Sequence, residues 1–416
     1  MAHRKQPTGI QNLPEDESGS LTVAVMSDLH AYDNDEPDNA PSHYCIRDPF
    51  DDPGKSPIAG LTRLIESEHL SAEVLLCPGD IADKANPLAI QHAWKAIHQI
   101  GQSLRTGQIV ATSGNHDVDS RFKHNDFDAR GVLQALEPPY PFPDENLNDR
   151  YWSRHFVLTS GHCYRVPTVN SSAFHGEGQY SETKLYEFER GRVSQRTLAA
   201  IRRELERSAP ALVNILLCHH HPHPHSELRL AESDLMAGGR ELLELLGSGR
   251  YGDWIVVHGH KHHPKLENAA GGASAPVVFA AGSLCATLYR ELQTRARNQF
   301  YMLAFPYSEY RLHGFVGRFR AWDWAVGNGW LPATEGSGLP AHGGFGWRGK
   351  PSVLARQIAS AAADSPTPWS VIRAMVPSVD FLLPQDLDDV RIVLGRDHRL
   401  KVIPEVGTPI EIARLA

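Results

Sequence analysis

The chain has 416 residues, of which 41% are hydrophobic and 22% charged, a composition typical of a globular protein with a large core. Its net charge of −8 argues against a broad nucleic-acid-binding face. No apolar stretch approaches the ~20 residues that cross a bilayer, so we expect no membrane span. The five cysteines are scattered, which is typical of reduced thiols and favours a cytoplasmic location.

Five short apolar runs follow a basic, polar start, for which we expect a disordered leader at residues 1–20. Each run ends in polar residues of the types that bind metal ions. The runs are 21–26 before SDLH, 74–77 before PGDIAD, 109–111 before TSGNHD, 213–218 before HHHP and 254–257 before HGHKH. Runs this short and this rich in β-branched residues predict buried strands.

Helical patterns lie between these predicted strands. They cover residues 60–69, 88–101, 194–207 and 237–246. Alternation of strand and helix predicts a layered α/β fold, and such folds place ligands at the carboxyl ends of their strands. All five polar motifs fall at those ends, so we expect them to form one site.

The later part of the chain changes character. Segments 276–281, 299–305 and 314–324 predict consecutive strands of a second sheet with antiparallel hairpins, which would complete a catalytic domain at residues 21–326. Residues 327–350 are rich in Gly and Trp and predict a linker. In the remainder, 351–416, a helix at 352–363 and a hairpin over 390–403 indicate a small module of unknown role.

The spacing of the polar residues favours a metal site. Asp28 and His30 are one residue apart, so on extended chain both side chains would point the same way, and His260 and His262 share this spacing. Asp80 follows a glycine, which allows the backbone to turn sharply as it leaves a strand. Carboxylate, imidazole and amide groups converging from several loops suit manganese (Mn²⁺), iron or Zn²⁺.

The series DLH, GDIAD, GNHD, CHHHP and GHKH resembles the calcineurin-like metallophosphoesterase superfamily, with every motif in family order. The resemblance implies a two-sheet α/β/β/α sandwich, here with a small C-terminal extension, and two metal ions. It assigns one ion to Asp28, His30, Asp80 and His262. It assigns the other to Asp80, Asn115, His219 and His260, so that Asp80 bridges the pair.

The HHH run leaves a choice of ligand. His219 is the first residue past the strand, which favours it, while His220 faces the opposite side and is the alternative. The resemblance gives His116 the role of stabilising or protonating the leaving oxygen, with Asp117 orienting its ring. An imidazole beside a metal ligand and backed by a carboxylate is also a reasonable general acid on chemical grounds. Loop capping is the alternative role for Asp117.

Two inserts surround the predicted site. The acidic, Pro-rich insert at 33–55 is either a lid or a surface loop. The second insert, at 120–155, offers Arg121 and His124 as phosphate contacts, unless it is an ordinary surface loop, and His220 is a third candidate contact.

The implied reaction uses two ions ~3.5–4 Å apart, which lower the pKa of a bridging water to about 7 and so generate a hydroxide nucleophile. We expect Mn²⁺, with Fe or Zn²⁺ as alternatives. The acidic net charge favours a phosphodiesterase acting on a small, cyclic-nucleotide-type substrate. A DNA or RNA nuclease and a phosphomonoesterase are the alternatives. A non-catalytic metal-bearing scaffold, with a protein partner on the C-terminal module, ranks last because His116 and every ligand are present.

Overall fold

The computed structural model describes residues 19–33, 40–48, 52–177, 187–225, 227–228, 234–336, 338–362 and 366–415. Within them, two β-sheets pack face to face and helices cover both outer faces. The predicted α/β/β/α sandwich is therefore confirmed. Most of the leader predicted at residues 1–20 lies outside the described residues, and Ser20 begins the first strand.

The first sheet combines three early strands with four later ones. The early strands are parallel: β1 (Ser20–Val25), β2 (Val74–Cys77) and β3 (Gln108–Ala111). The later strands are β10 (Gln299–Pro306), β11 (Gly317–Ala325), β12 (Gly329–Pro332) and β13 (His342–Phe345). Antiparallel pairs join β10 to β1, β11 to β10, and both β12 and β13 to β11.

The second sheet lies opposite the first. Its strands are β4 (Phe156–Ser160), β5 (Tyr164–Val169), β6 (Val213–Leu217), β7 (Ile255–His258), β8 (Lys265–Asn268) and β9 (Val277–Ala280). Their order is β4-β5-β6-β7-β9-β8, in which β5, β6, β7 and β9 are parallel and the two edge strands are antiparallel. The carboxyl ends of β6 and β7 therefore lie at one edge of this sheet.

The helices of this region are α1 (Pro57–Ser67), α2 (Pro87–Ser103), α3 (Gly131–Gln134), α4 (Glu145–Arg154), α5 (Gln195–Arg207), α6 (Gly239–Leu246) and α7 (Tyr307–His313). The four predicted helices correspond to α1, α2, α5 and α6. Their starts have clear causes: the side chain of Asn86 accepts from the N–H of Ala89 at 3.0 Å, and that of Ser194 from Thr197 at 3.1 Å. None of the helices in the described part of the chain has the length and apolar composition that a bilayer crossing needs.

Strand alternation explains the layering. Val74 and Leu76 of β2 pack into the core between the sheets, with residues such as Ile215 and Val257, whereas Leu75 packs into the core beneath α1 and α2. Both faces of these parallel strands are buried, so the runs are continuously hydrophobic. A third core lies between the second sheet and the helices α5 and α6.

The later strands do not form the second sheet, as the sequence had suggested. Segments 299–305 and 314–324 lie in β10 and β11, which extend the first sheet beyond β1, and only the strand near 276–281 joins the second sheet. An apolar strand pattern gives no information about its pairing partner. The pairing of β10 with β1 joins segments nearly the whole domain apart, and the local pattern could not reveal it.

The predicted linker at 327–350 is also wrong. Strands β12 and β13 lie inside it and pair with β11, and Trp330 and Phe345 are buried. This segment is rich in glycine because its strands pack closely against neighbouring side chains. A Cβ on Gly343, for example, would lie 2.4 Å from the ring of Phe319. The glycines therefore reflect contact between strands and not flexibility.

The C-terminal region forms a module with its own core. It contains α8 (Pro351–Ala361), β14 (Thr367–Pro368), α9 (Trp369–Met375), a 3₁₀ turn (Pro377–Phe381), α10 (Pro384–His398), β15 (Leu400–Ile403) and β16 (Glu411–Arg414). The hairpin predicted over 390–403 is wrong because its first half lies in α10, where Val390 and Leu394 are buried at helical spacing. The β-branched residues of VRIVL resemble a strand, which explains the error, and β15 pairs instead with β16.

Asp380 fastens this module to the sandwich. Its carboxylate accepts hydrogen bonds from Arg318 of β11 at 3.0 Å and from Arg373 of α9 at 2.5 and 2.8 Å. The guanidinium of Arg318 lies 4.7 Å from the ring centroid of Phe381, and the N–H of Trp347 donates to the carbonyl of Phe381 at 3.1 Å. The 3₁₀ turn is thus the main contact between the two parts.

Candidate metal centre

The five polar motifs meet where the carboxyl ends of both sheets lie together. Three follow β1, β2 and β3 of the first sheet, and two follow β6 and β7 of the second. The loops after β1 and β2 run side by side, because the N–H of Asp28 donates to Gly79 and that of His30 to Asp80, each at 3.0 Å. The predicted convergence at the strand ends is what the structure contains.

Five of the candidate ligands adopt a left-handed backbone conformation. Their φ angles are +53° for Asp28, +47° for His30, +52° for Asp80, +86° for His260 and +57° for His262. Such angles are uncommon outside glycine and are concentrated at functional sites. The expectation that Asp28 and His30 lie on extended chain is therefore incorrect, although the two side chains do reach the same site.

Glycine is needed around Asp80 for a different reason at each of two positions. Gly79 has a φ of +108°, which turns the chain as it leaves β2. Gly114 packs against the carboxylate, since a Cβ there would lie 2.1 Å from Oδ1 of Asp80. These two glycines let the loops of GDIAD and GNHD approach each other closely.

The first ligand cluster contains Asp28, His30 and His262. The Nε2 atoms of His30 and His262 face each other at 3.0 Å. Nε2 of His262 lies 3.5 Å from Oδ1 of Asp28, and Nε2 of His30 lies 3.6 Å from Oδ2 of Asp80. All four side chains are buried.

The second cluster contains Asn115, His219 and His260. Oδ1 of Asn115 lies 3.0 Å from Nε2 of His219 and 3.0 Å from Nδ1 of His260. Oδ2 of Asp80 lies 3.2 Å from Nε2 of His219. The same Asp80 oxygen therefore stands between the two clusters, in the position of a bridging ligand.

The residues fit a pair of ions. Ligand atoms bound at about 2.0–2.2 Å to one ion lie roughly 3 Å from each other, which matches the 3.0–3.6 Å separations in both clusters. The donor set is imidazole, carboxylate and amide oxygen, which suits a first-row transition metal. His219 contacts both Asn115 and Asp80, while His220 also has a ring nitrogen within 4.8 Å of ligand atoms of His219 and His260, so His220 stays the alternative ligand.

Backbone carbonyls orient two of the histidines. Nδ1 of His219 donates to the carbonyl of Pro78 at 2.8 Å, which directs Nε2 into the site. Nε2 of His260 donates to the carbonyl of Glu189 at 2.6 Å, which directs Nδ1 into the site. The two histidines therefore present different ring nitrogens to the same cluster.

The charges in the site compensate one another. Burial acts to raise the pKa of Asp28 and of Asp80, but the neighbouring histidines outweigh it, so both pKa values stay below the ordinary range. Burial lowers the pKa of His30 to about 3, which favours the neutral ring that a metal ligand requires. The site thus holds ionised carboxylates beside at least one neutral imidazole.

His116 pairs with Asp83 and not with Asp117. Its Nδ1 lies 3.0 Å from Oδ1 of Asp83. Burial would lower the pKa of His116, yet the carboxylates of Asp80 and Asp83 outweigh it and the pKa is raised. The predicted orienting role of Asp117 is therefore not what the structure contains.

Asp117 instead clamps the loops together. Its carboxylate accepts backbone N–H bonds from Asp80, Ile81 and Gly114 at 2.8 Å and from Ala82 at 3.2 Å. The capping role considered for this residue is the one observed, and the structure places Asp83, which the sequence had not singled out, beside His116. The second Asp of GDIAD was the signal, since it lies three residues past Asp80 in the same motif.

The three predicted substrate contacts lie in different settings. The guanidinium of Arg121 is exposed and lies 5.8 Å from the ring centroid of Phe188, which neighbours His116. His124 is exposed, and the contact described for it is a backbone N–H bond to Asp119 at 2.6 Å. His220 is buried beside His219 and His260, and its Nδ1 lies 2.8 Å from the hydroxyl of Ser171. Of these, only Arg121 lies at the mouth.

Further histidines pack behind the site. The ring centroids of His221 and His258 lie 4.3 Å apart, those of His221 and His225 lie 5.9 Å apart, and those of His225 and His263 lie 4.7 Å apart. Burial lowers the pKa of His225 to about 4 and that of His258 to about 3. His225 is buried and is therefore a neutral packing residue.

The fold and the paired clusters define a phosphoesterase that depends on metal ions. The family model described as calcineurin-like phosphoesterase matches residues 21–264, more than half of the chain, and the chain belongs to this family. A second model, described as wHTH-Calcineurin_assc, matches residues 343–392. The order of helices and strands from α8 to β16 agrees with a winged helix-turn-helix module.

No curated protein matches this chain. Among solved structures it is similar to a purple acid phosphatase, PPD1, from yellow lupin seeds, with a TM-score of 0.47 and 14% identity over 79% of this chain and 53% of that one. The chain thus spans about half the length of the lupin protein. The phosphopantetheinyl hydrolase PptH of Mycobacterium tuberculosis gives a TM-score of 0.35 at 16% identity, covering 64% of this chain and 91% of its own.

Proposed function

We propose that this chain is a phosphodiesterase that hydrolyses small nucleotide-type diesters, including cyclic ones, at a dinuclear Mn²⁺ centre. The observation that carries the proposal is the position of Asp80, whose Oδ2 lies 3.6 Å from Nε2 of His30 and 3.2 Å from Nε2 of His219. One carboxylate between two ligand clusters is the arrangement that two neighbouring ions require.

The ions would be held by Asp28, His30, Asp80 and His262 on one side and by Asp80, Asn115, His219 and His260 on the other. When bound, such ions supply an activated water and neutralise charge on the phosphoryl oxygens. His116 would donate a proton to the leaving oxygen, and the carboxylates of Asp80 and Asp83 raise its pKa, which favours the protonated ring that a general acid needs. Asp83 would hold the ring in place through Nδ1.

A small substrate is favoured over a nucleic-acid polymer by charge. The chain carries a net charge of −8, so phosphate-backbone binding would lack its usual electrostatic support. The winged helix-turn-helix module does not supply that support, because α10 carries four aspartates against two arginines. The nuclease alternative therefore ranks second, and the monoesterase alternative shares the same chemistry.

Mn²⁺ is proposed over iron and Zn²⁺ because Asp28, Asp80 and Asn115 offer carboxylate and amide oxygens, the ligand type that suits Mn²⁺. A cytoplasmic location is proposed from the cysteines. None of the five forms a disulfide in the described part of the chain, and burial raises the pKa of the Cys163 thiol, which makes that thiol less reactive.

The test is hydrolysis of bis-p-nitrophenyl phosphate by the purified protein after loading with Mn²⁺, Fe²⁺ or Zn²⁺ in parallel. We expect turnover with Mn²⁺ above that with the other ions. A panel of cyclic nucleotides, dinucleotides and single-stranded DNA then ranks the substrates. Preference for DNA would favour the nuclease, and hydrolysis of p-nitrophenyl phosphate alone would favour the monoesterase. Metal binding without any turnover would favour the scaffold.

A further inference from the structure

A row of five rings crosses the mouth of the metal centre. Successive ring centroids lie 5.8 Å apart from Phe188 to His116, 4.7 Å from His116 to His30, 4.9 Å from His30 to His262 and 6.3 Å from His262 to Tyr289. The three inner rings belong to the proposed metal and proton-transfer chemistry. The two outer rings, Phe188 and Tyr289, have no role in that chemistry.

Tyr289 combines exposure with a fixed position. It is 65% exposed, which is unusual for a large ring beside a buried site. Its ring is nearly parallel to that of His262, with an interplanar angle of 10°. Its carbonyl accepts from the N–H groups of Leu292 at 2.8 Å and Gln293 at 3.1 Å, which anchors the backbone in a turn. Most of the ring surface is therefore held open to solvent next to a metal ligand.

The loop before Tyr289 is anchored as well. The N–H of Thr287 donates to the carbonyl of Pro41 at 2.8 Å, and the N–H of His43 donates to the carbonyl of Cys285 at 2.8 Å. The ring of Tyr289 makes little contribution to the core because it is mostly exposed. A large aromatic side chain that lies at the mouth of the site and contributes little to the core is available to a ligand.

Phe188 is held at the opposite end of the row. The carbonyls of its two neighbours, Glu187 and Glu189, lie 2.8 Å from Nε2 of His175 and 2.6 Å from Nε2 of His260. Its ring is next to His116, the proposed proton donor, so this end of the row would face the leaving group of a bound diester. Tyr289, next to His262, faces the other substituent of a diester.

We propose that Tyr289 is a stacking surface for a planar aromatic group, a nucleobase, on the retained side of the substrate. The proposal rests on the proposed phosphodiesterase function and names the residue that recognises the nucleoside. Stacking on a flat ring tolerates every base, because each base has a π face. Tyr289 therefore gives preference for nucleotide diesters over alkyl diesters without selecting one base.

The experiment compares two diesters with the same leaving group. One is the p-nitrophenyl ester of thymidine 5′-phosphate, and the other is methyl p-nitrophenyl phosphate. Since the chemistry at phosphorus is shared, the ratio of their kcat/KM values reports recognition of the nucleoside. We expect the Mn²⁺-loaded protein to prefer the thymidine ester and Tyr289→Ala to lower kcat/KM for that ester about tenfold, chiefly through KM.

Two variants at the same position serve as controls. Tyr289→Phe keeps the ring and should retain the preference, whereas Tyr289→Leu keeps apolar bulk without a flat ring and should lose it. Metal content by elemental analysis should be unchanged in all three, because the side chain packs on His262 without replacing a ligand. For methyl p-nitrophenyl phosphate, each variant should stay within about twofold of the parent.

The outcomes distinguish a failure of the proposed role of Tyr289 from a failure of the proposed phosphodiesterase function. Equal losses on both esters, or no loss on either, would overturn the role of Tyr289 and leave the phosphodiesterase function intact. A preference retained by Tyr289→Leu would overturn it too, since bulk alone would then suffice. Failure of the metal-loaded parent protein to hydrolyse either ester would overturn the phosphodiesterase function and with it the role of Tyr289.

Discussion

Nδ1 of His116 lies 3.0 Å from Oδ1 of Asp83, although Asp117 is its neighbour in the chain. Asp117 turns the other way and accepts four backbone N–H bonds. The GNHD motif thus contains a histidine that pairs with a carboxylate of another loop and an aspartate that holds two loops together. The carboxylate that serves His116 comes from the neighbouring strand end.

His116→Ala should lower kcat by about a hundredfold or more, because a general acid contributes roughly 10²–10⁴. Asp83→Asn should lower it by about tenfold, since the ring loses its charged partner. Steady-state kinetics on bis-p-nitrophenyl phosphate measure both effects, with metal content checked in parallel.

The double variant provides the control for this pair. If Asp83 acts through His116, Asp83→Asn should have almost no effect once His116 is alanine. Independent losses that multiply in the double variant would contradict the pairing. So would an unchanged rate in His116→Ala.

Asp80→Ala should remove both metal ions, whereas Asn115→Ala should affect one. Asp80 contacts ligands of both clusters, at 3.6 Å to His30 and 3.2 Å to His219, while Asn115 contacts His219 and His260. Elemental analysis after dialysis should give about two ions per chain for the parent protein, about one for Asn115→Ala and near none for Asp80→Ala. Two ions retained by Asp80→Ala would rule out its bridging position.

Asp117→Ala should destabilise the fold far more than Asp83→Asn does. The alanine leaves four buried N–H groups without their acceptor, and we expect a loss of about 3 kcal/mol or more in the free energy of unfolding. Asp83 is tied to His116 rather than to the backbone of these loops, so Asp83→Asn should change stability by less than about 1 kcal/mol. Denaturant unfolding measures both, and a stable Asp117→Ala would contradict the clamp.

We expect the partly buried ring of His98 to make the folded protein less stable in acid. Burial lowers its pKa, and its Nε2 is buried without a hydrogen-bond partner in the described part of the chain. The folded chain therefore binds fewer protons here than the unfolded chain, so this contribution is full above pH 6.5 and is lost as the pH falls below it.

The matched variant is His98→Phe, which keeps a ring against Trp94, whose centroid lies 4.6 Å away. The variant should lose less stability than the parent between pH 8 and pH 5 in urea unfolding. An identical dependence on pH in the two proteins would show that His98 does not contribute.

Local patterns predicted the elements well and their partners poorly. The runs before DLH and GDIAD correspond to β1 and β2, and the helix predicted at 88–101 lies within α2. These elements could be predicted because burial of their faces requires hydrophobic residues at regular positions in the sequence. The strands β10 and β11 were found but placed in the wrong sheet. Their pairing depends on long-range packing, and an apolar strand fits several neighbours equally well.

The sequence by itself determined the kind of site. Residue types at five strand ends specify a metal centre, since hard and borderline ions require converging oxygen and nitrogen ligands. The tertiary structure of the protein decided which carboxylate contacts which partner. Asp83 rather than Asp117 faces His116, and Tyr289 stands over His262, because left-handed turns and loops from distant segments set those directions. The spacing of residues along the chain does not show in which direction their side chains point.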